Sequence, residues 1–186
     1  MILKLQNLIK HLEKQNALDC QLLGSGELER YAKYSNKSLL ELWQKEGFCG
    51  YDDGLWWFTP PDRLDEVLKS FLPNMLDAHV LARTAFGDLF IHSVNNKISV
   101  FSPRLKEMVL TDEEFEFFFE VLLINEEFKL DILEKELFNQ AQKKIGPINH
   151  EECYGFLPPL KLGGNFSLEN LEKVKLMEHL MILSQV

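Results

Sequence analysis

The run Val80-Leu81-Ala82-Arg83-Thr84-Ala85-Phe86-Gly87-Asp88-Leu89-Phe90-Ile91-His92-Ser93-Val94-Asn95-Asn96-Lys97-Ile98-Ser99-Val100-Phe101-Ser102 decides the architecture. It predicts three short strands, Val80–Phe86, Asp88–His92 and Lys97–Ser102, with Glu107–Leu110 as a further candidate. Asn95-Asn96 suits a hairpin turn, because asparagine tolerates the positive backbone angles such turns need. Strands spaced this closely imply an antiparallel sheet. Upstream, Leu55-Trp56-Trp57-Phe58-Thr59 is aromatic and β-prone and predicts another strand. The stretch before it, Gly47 to Gly54, holds three glycines and reads as a loop.

Helical patterns surround this centre. Residues 2–18 carry Leu5, Leu8, Ile9 and Leu12 at helical spacing, and Gly24-Ser25-Gly26 reads as a linker. A helix or helix pair is predicted over 27–46, with Ser38 and Glu41 as a capping box and Gly47 as the stop. Pro60-Pro61 opens a helix striped by Leu64, Val67, Leu68, Phe71 and Leu72, ended by Pro73. Thr111 with Glu114 forms a second capping box before a helix that buries Phe115, Phe118, Phe119 and Leu122. Phe117, Val121 and Ile124 form a second apolar stripe beside the acids of that helix. This stripe reads either as wedged between two layers or as an exposed partner site. Asp131 with Glu134 caps a further helix that ends at Gly146-Pro147. Cys153–Leu157 is a predicted strand, Gly163-Gly164 a tight turn, and residues 169–184 a buried helix.

The chain has 186 residues, 46% hydrophobic and 26% charged. A domain of this size buries about 70% of its unfolded surface and needs no disulfide or metal to stand. With 20 basic and 29 acidic residues its net charge is −9, which argues against a main role in neutralising phosphates. Most of that charge lies between residues 111 and 136. Asp112, Glu113, Glu114, Glu116, Glu120, Glu126, Glu127, Asp131, Glu134 and Glu136 face only Lys129 and Lys135 there. Such a segment is either a solvated face or a surface that attracts a basic partner. No apolar run is long enough to span a membrane, and Lys4, Lys10 and His11 interrupt any signal-peptide core. The three cysteines, Cys20, Cys49 and Cys153, lack metal spacing and read as cytoplasmic thiols.

The motifs of catalysis are missing. No phosphate-binding glycine loop occurs, and Gly24-Ser25-Gly26 lacks the strand–turn–helix setting of a dinucleotide site. His11, His79, His92, His150 and His179 include no pair at i, i+4, so no zincin-type site is formed. His150-Glu151-Glu152-Cys153 holds ligand-type residues whose side chains point apart on a loop. Cys49 and Cys153 lie near glycine turns without an identifiable base. Trp56-Trp57 reads as core packing rather than a stacking platform.

Two blocks resemble known families. Leu39-Leu40-Glu41-Leu42-Trp43-Gln44-Lys45-Glu46-Gly47-Phe48, Gly50-Tyr51, Gly54-Leu55-Trp56-Trp57 and Ala82-Arg83-Thr84-Ala85-Phe86-Gly87-Asp88-Leu89-Phe90 resemble the GAD-like domain. Cys153-Tyr154-Gly155-Phe156-Leu157-Pro158-Pro159-Leu160-Lys161-Leu162-Gly163-Gly164, then Glu169–Val174 and Glu178–Leu183, are similar to the C-terminal domain that follows GAD-like domains in bacterial immunity proteins. The blocks cover about 27–186. The resemblance implies a cytoplasmic, non-enzymatic antitoxin without a cofactor, whose partner is a nuclease (DNase) toxin delivered by a type VI secretion system. It implies no direct binding of nucleic acid or membrane. Gly47, Gly54, Gly87, Gly155, Gly163 and Gly164 serve turns in this reading.

The resulting expectation is an α+β protein, an antiparallel sheet flanked by helices, with the two family regions packed as one compact unit. Residues 1–26 are an N-terminal helix and linker, 27–110 the GAD-like domain and 111–186 the C-terminal immunity domain. The toxin-binding candidates are Glu113, Glu116 and Glu120 along one helical edge, Glu126, Glu127 and Asp131 on the following turn, and the loop Tyr51, Asp52 and Asp53. The rival readings are a non-catalytic interaction or regulatory scaffold and, behind it, a thiol enzyme.

Overall fold

The computed structural model describes residues 5–24, 26–34 and 37–186. In chain order the elements are α1 (Gln6–Leu12), β1 (Leu18–Gln21), α2 (Glu27–Tyr31), α3 (Lys37–Glu46), β2 (Phe48–Tyr51), β3 (Trp56–Phe58), α4 (Asp65–Phe71), β4 (His79–Thr84), β5 (Leu89–His92), β6 (Lys97–Ser102), β7 (Glu107–Glu114), α5 (Phe115–Phe117), α6 (Glu126–Asp131), α7 (Lys135–Ile145), β8 (Glu152–Phe156), β9 (Leu171–Lys175) and α8 (Leu176–Ser184). A 3-10 turn, Asp52–Gly54, joins β2 to β3, and α5 runs on into one π-helical turn, Phe118–Leu122.

The expected α+β architecture is present. Seven strands form one antiparallel meander in the order β1 to β7, and β8–β9 make a separate hairpin. Both faces of the sheet are covered. In β5, Leu89 and Ile91 join a core with Leu64, Val67 and Leu68 of α4 and Leu176, Leu180 and Leu183 of α8. Phe90, between them, joins the opposite core with Leu5, Leu8, Leu39, Trp43, Phe115 and Phe119. Side chains alternate along a strand, so burial on both faces makes an unbroken apolar run. Asn96 adopts a φ of 57° in the β5–β6 turn, as its residue type suggested.

Several predicted boundaries move. The stretch 47–54 is not all loop: Phe48–Tyr51 is β2, and its glycine marks a close approach. A Cβ at Gly50 would sit 2.7 Å from the Trp57 ring, so only glycine lets that indole cross the strand. The N-terminal stretch does more than precede the sheet. Leu18–Gln21 pairs with β2 as an edge strand, and α1 buries Leu8 and Leu12. Residues 2–4 of the predicted first helix and Ser25 of the predicted linker lie outside the described residues. Among the described residues Ser38 lies inside α3, Lys37–Glu46, and not ahead of it. The helix after Pro60-Pro61 starts only at Asp65. Thr111 does not cap a helix, because β7 continues to Glu114, which faces Lys97 across the ladder. Asp131 ends α6 instead of opening α7, whose N-terminal flank is Glu134 at φ 54°. The predicted helix 169–184 begins as a 3-10 turn, Leu168–Asn170, and strand β9, and Ile182 of α8 is exposed.

The two halves interlock through buried cations. Arg83 of β4 donates to the carbonyls of Asn149 and His150 at 3.0 and 3.2 Å and lies over the Trp57 ring. Burial lowers its guanidinium pKa to about 10. Arg104 reaches Asp88 at 3.2 Å and Glu134 at 2.8 Å, beneath the rings of Phe86, Phe156 and Phe166. Burial opposes its charge, yet Asp88 and Glu134 together hold the proton more tightly than usual.

Candidate partner-binding surface

The acidic segment is presented by three successive elements. β7 carries Glu113, which lies opposite Ile98 on the sheet edge and not on a helix as expected. α5 and the π turn carry Glu116 and Glu120. The Leu123 amide donates to the Phe118 carbonyl at 2.8 Å, closing the wider π turn. Phe115, Phe118 and Phe119 anchor this helix in the core. α6 then carries Glu126, Glu127 and Asp131, and the Asn125 side chain caps it by accepting from the Phe128 amide at 2.9 Å.

The acids divide by partner. Glu120 caps α1: its carboxylate accepts from the amides of Asn7 and Leu8 at 3.0–3.3 Å. A carboxylate at a helix N-terminus satisfies free amides and complements the helix dipole. Glu120 is therefore structural and not part of a free acidic edge. Glu114 pairs with Lys97, and Glu134 with Arg104. Glu126 lies between Lys135 and Lys129, and the Lys135 hydrogen bond holds its carboxyl below the usual range. Glu116 accepts only a long hydrogen bond from Asn96, at 3.4 Å. Among the described residues Asp112, Glu113, Glu127, Asp131 and Glu136 have no ion-pair partner.

The Tyr51–Asp53 loop reaches this surface through Lys129. That lysine is 0% exposed and donates to Asp52 at 2.9 Å, to Glu126 at 3.2 Å and to His11 at 3.2 Å. Asp52 also accepts from Gln15 at 2.9 Å and from the Trp56 indole at 2.8 Å. Its carboxylate is thus taken up internally. Tyr51 is fully buried, and its hydroxyl donates to Glu46 at 2.8 Å. Burial pushes that phenol well above its ordinary pKa. Neither Tyr51 nor Asp52 offers a group to a partner in this fold, which corrects two of the loop candidates. Asp53 is exposed, and Gln142 of α7 donates to its carbonyl at 2.8 Å. The loop, α1, α6 and α7 therefore converge on one brace. Sequence reasoning missed Lys129, His11 and Gln15 in this brace. Lys129 stands three residues after Glu126, but nothing local pointed to Asp52.

The cysteine reading changes as well. Cys20 and Cys49 form a disulfide across β1 and β2, with Cα atoms 4.2 Å apart. Opposed positions on adjacent antiparallel strands lie within bridging distance. Cys153 is a buried free thiol, and burial pushes its pKa up to about 12. Neither Cys49 nor Cys153 is placed as an activated nucleophile. His150 donates to the Phe48 carbonyl at 2.6 Å, and His179 is buried in α8. Burial lowers the pKa of both rings. At the sheet end, a cleft of about 510 Å³ is lined by Lys33, Tyr34, Asp77, His79, His92 and Asn96. Its histidines are tied to the protein, His79 to Asp65 and His92 to the Tyr34 carbonyl. Among the described residues no His, Cys, Asp and Glu group is arranged to hold a metal. No helix of the described residues is long and apolar enough to cross a membrane.

Comparison with known proteins adds the family. Residues 4–103 match the model of the GAD-like domain, a span that takes in α1 and β1. Residues 112–186 match the model described as T6SS immunity protein Tdi1, C-terminal. The comparison with curated proteins finds no match. The crystal structure of Atu4351 from Agrobacterium tumefaciens is similar over 94% of this chain and 87% of that one, with 18% identity and a TM-score of 0.74. At that identity the likeness is one of fold. The chain belongs to the GAD-like domain family, and its C-terminal region is that of a T6SS immunity protein of the Tdi1 family.

Proposed function

We propose that this protein neutralises a cognate nuclease toxin, a DNase delivered by type VI secretion, by binding it directly and in fixed proportion. One observation carries the reading. In a chain with an immunity-protein domain, Asp112, Glu113, Glu127, Asp131 and Glu136 have no ion-pair partner among the described residues, while nearby Lys97, Lys129, Lys135 and Arg104 are engaged by other acids. A nuclease holds phosphates in a basic groove. Clustered carboxylates take the place of those phosphates and speed association. Glu113, Glu116, Glu127, Asp131 and Asp53 are the contact residues in this account. The Lys129 brace sets α6 against the Asp53 loop, so these groups reach the partner already ordered. The protein acts in the cytoplasm, where the toxin meets DNA, and its role is occlusion without catalysis.

Co-expression with the product of the adjacent gene, as the candidate toxin, tests this. The expected result is restored growth, recovery of a toxin complex on pull-down, and association that slows steeply with salt, since exposed attraction is screened beyond about 8–10 Å. Unrestored growth with both proteins present and folded would contradict it.

A further inference from the structure

Phe117 and Val121 are each 45% exposed, although they stand on the helix whose Phe115, Phe118 and Phe119 are fully buried. They lie four residues apart, so they share a face. Single exposed apolar side chains are ordinary. Here two large ones follow Glu113 and Glu116 closely in sequence, in the most acidic stretch of the chain. The helix beneath them is fixed from two sides. Its aromatic anchors fill the core, and Glu120, between the two residues in sequence, is bound to the start of α1. The face is thus presented in a set geometry, which lowers the ordering cost of binding.

Resting on the immunity reading above, we infer that Phe117 and Val121 are the apolar anchors of the toxin interface, seated in a socket of the toxin that is rimmed by basic side chains. Charge complementarity selects this occupant. A second copy of the chain would bring Glu113 and Glu116 against their own counterparts, and like charges across an interface oppose association. A bare phosphate-binding groove would leave the two apolar groups without cover. Interfaces hold through central, water-excluding anchors, while rim charges govern encounter. The face therefore divides the work, with anchors setting residence time and acids setting arrival.

The test uses the full chain and its cognate toxin, inactivated at its nuclease centre. Association and dissociation are followed at low and high salt for wild type, Phe117→Ala with Val121→Ala, and Glu127→Lys with Asp131→Lys. The alanine pair is expected to dissociate about 30-fold faster or more, with its arrival rate and salt dependence unchanged. The lysine pair is expected to arrive slowly, with a flattened salt dependence. A photo-crosslinking phenylalanine analogue at Phe117 should attach to the toxin, a readout that does not depend on how well the alanine pair folds. Wild-type dissociation by a folded alanine pair, or no crosslink from a bound complex, overturns the inference and leaves the immunity reading standing. Concentration-dependent self-association abolished by the alanine pair also overturns it, because the occupant is then a second copy. A wild type that fails to bind the toxin overturns the immunity reading itself.

Discussion

Ten carboxylates between residues 111 and 136 look equivalent in the sequence, and the structure separates them by partner. Glu120 and Glu127 make the contrast. Glu120→Lys removes the cap of α1 and sets a cation against free amides, so it should cost about 1–2 kcal/mol. Glu127→Lys, in the exposed first turn of α6, breaks no ion pair among the described residues and loses only a dipole interaction, so it should cost less than about 1 kcal/mol. Urea unfolding of the two variants measures the difference, and equal stabilities would show that Glu120 does not cap α1. Partners of this kind were illegible, because Glu120 and Asn7 lie 113 residues apart and Lys129 and Asp52 lie 77 apart. What could be read was the apolar period. Spacing alone puts Phe115, Phe118, Phe119 and Leu122 on one core face; the three phenylalanines are fully buried and Leu122 is half-buried.

Elements were legible where local preference and the sheet agreed, as in β4, β5 and β6. They were misread where the ladder overruled a local signal. Thr111 and Glu114 have capping-box spacing, yet β6 extends to Lys97 and pairs with Glu114, so the backbone stays extended. Gly47 and Gly50 suggested a loop through β2. Gly47 does end α3 at φ 80°, but Gly50 is a strand residue beneath Trp57. β1 is four residues long and exposed at its centre, too short for an alternating pattern to show. Its bridge to β2 carries a prediction. The Cys20–Cys49 disulfide spans 29 residues of sequence. A loop of that length constrains the unfolded chain by roughly 3–4 kcal/mol in the chain-entropy model. Reductant should lower the urea midpoint accordingly. Without reductant, thiol titration of unfolded protein should find Cys153 alone. The β1–β2 ladder and the packing of α1 hold the same elements together without the bridge, so toxin binding should survive reduction. Loss of binding on reduction would make the bridge a functional part of the interface.

At the scale of the whole molecule, Arg83 and Arg104 bind the C-terminal region to the sheet, and the N-terminal region supplies the far side of the Lys129 brace. The two family regions therefore form one structural unit. Arg104→Ala leaves Asp88 buried without its cation and should cost about 3–5 kcal/mol. The loss should appear in one cooperative unfolding transition, followed both by tryptophan fluorescence, whose reporters lie in residues 43–57, and by an amide-exchange probe in α7. Separate transitions would mean that the halves unfold independently. The uneven charge of the molecule was plain in the sequence, but which acids remain available to a partner depended on contacts across both regions. The most direct measurement of the central claim is a titration of the purified toxin's DNase activity with this protein at concentrations well above the dissociation constant. Occlusion predicts a linear loss of activity to a sharp end point at a fixed molar ratio, with the toxin recovered chemically unchanged from the complex. Inhibition that continues at strongly substoichiometric amounts, or a covalently altered toxin, would contradict it.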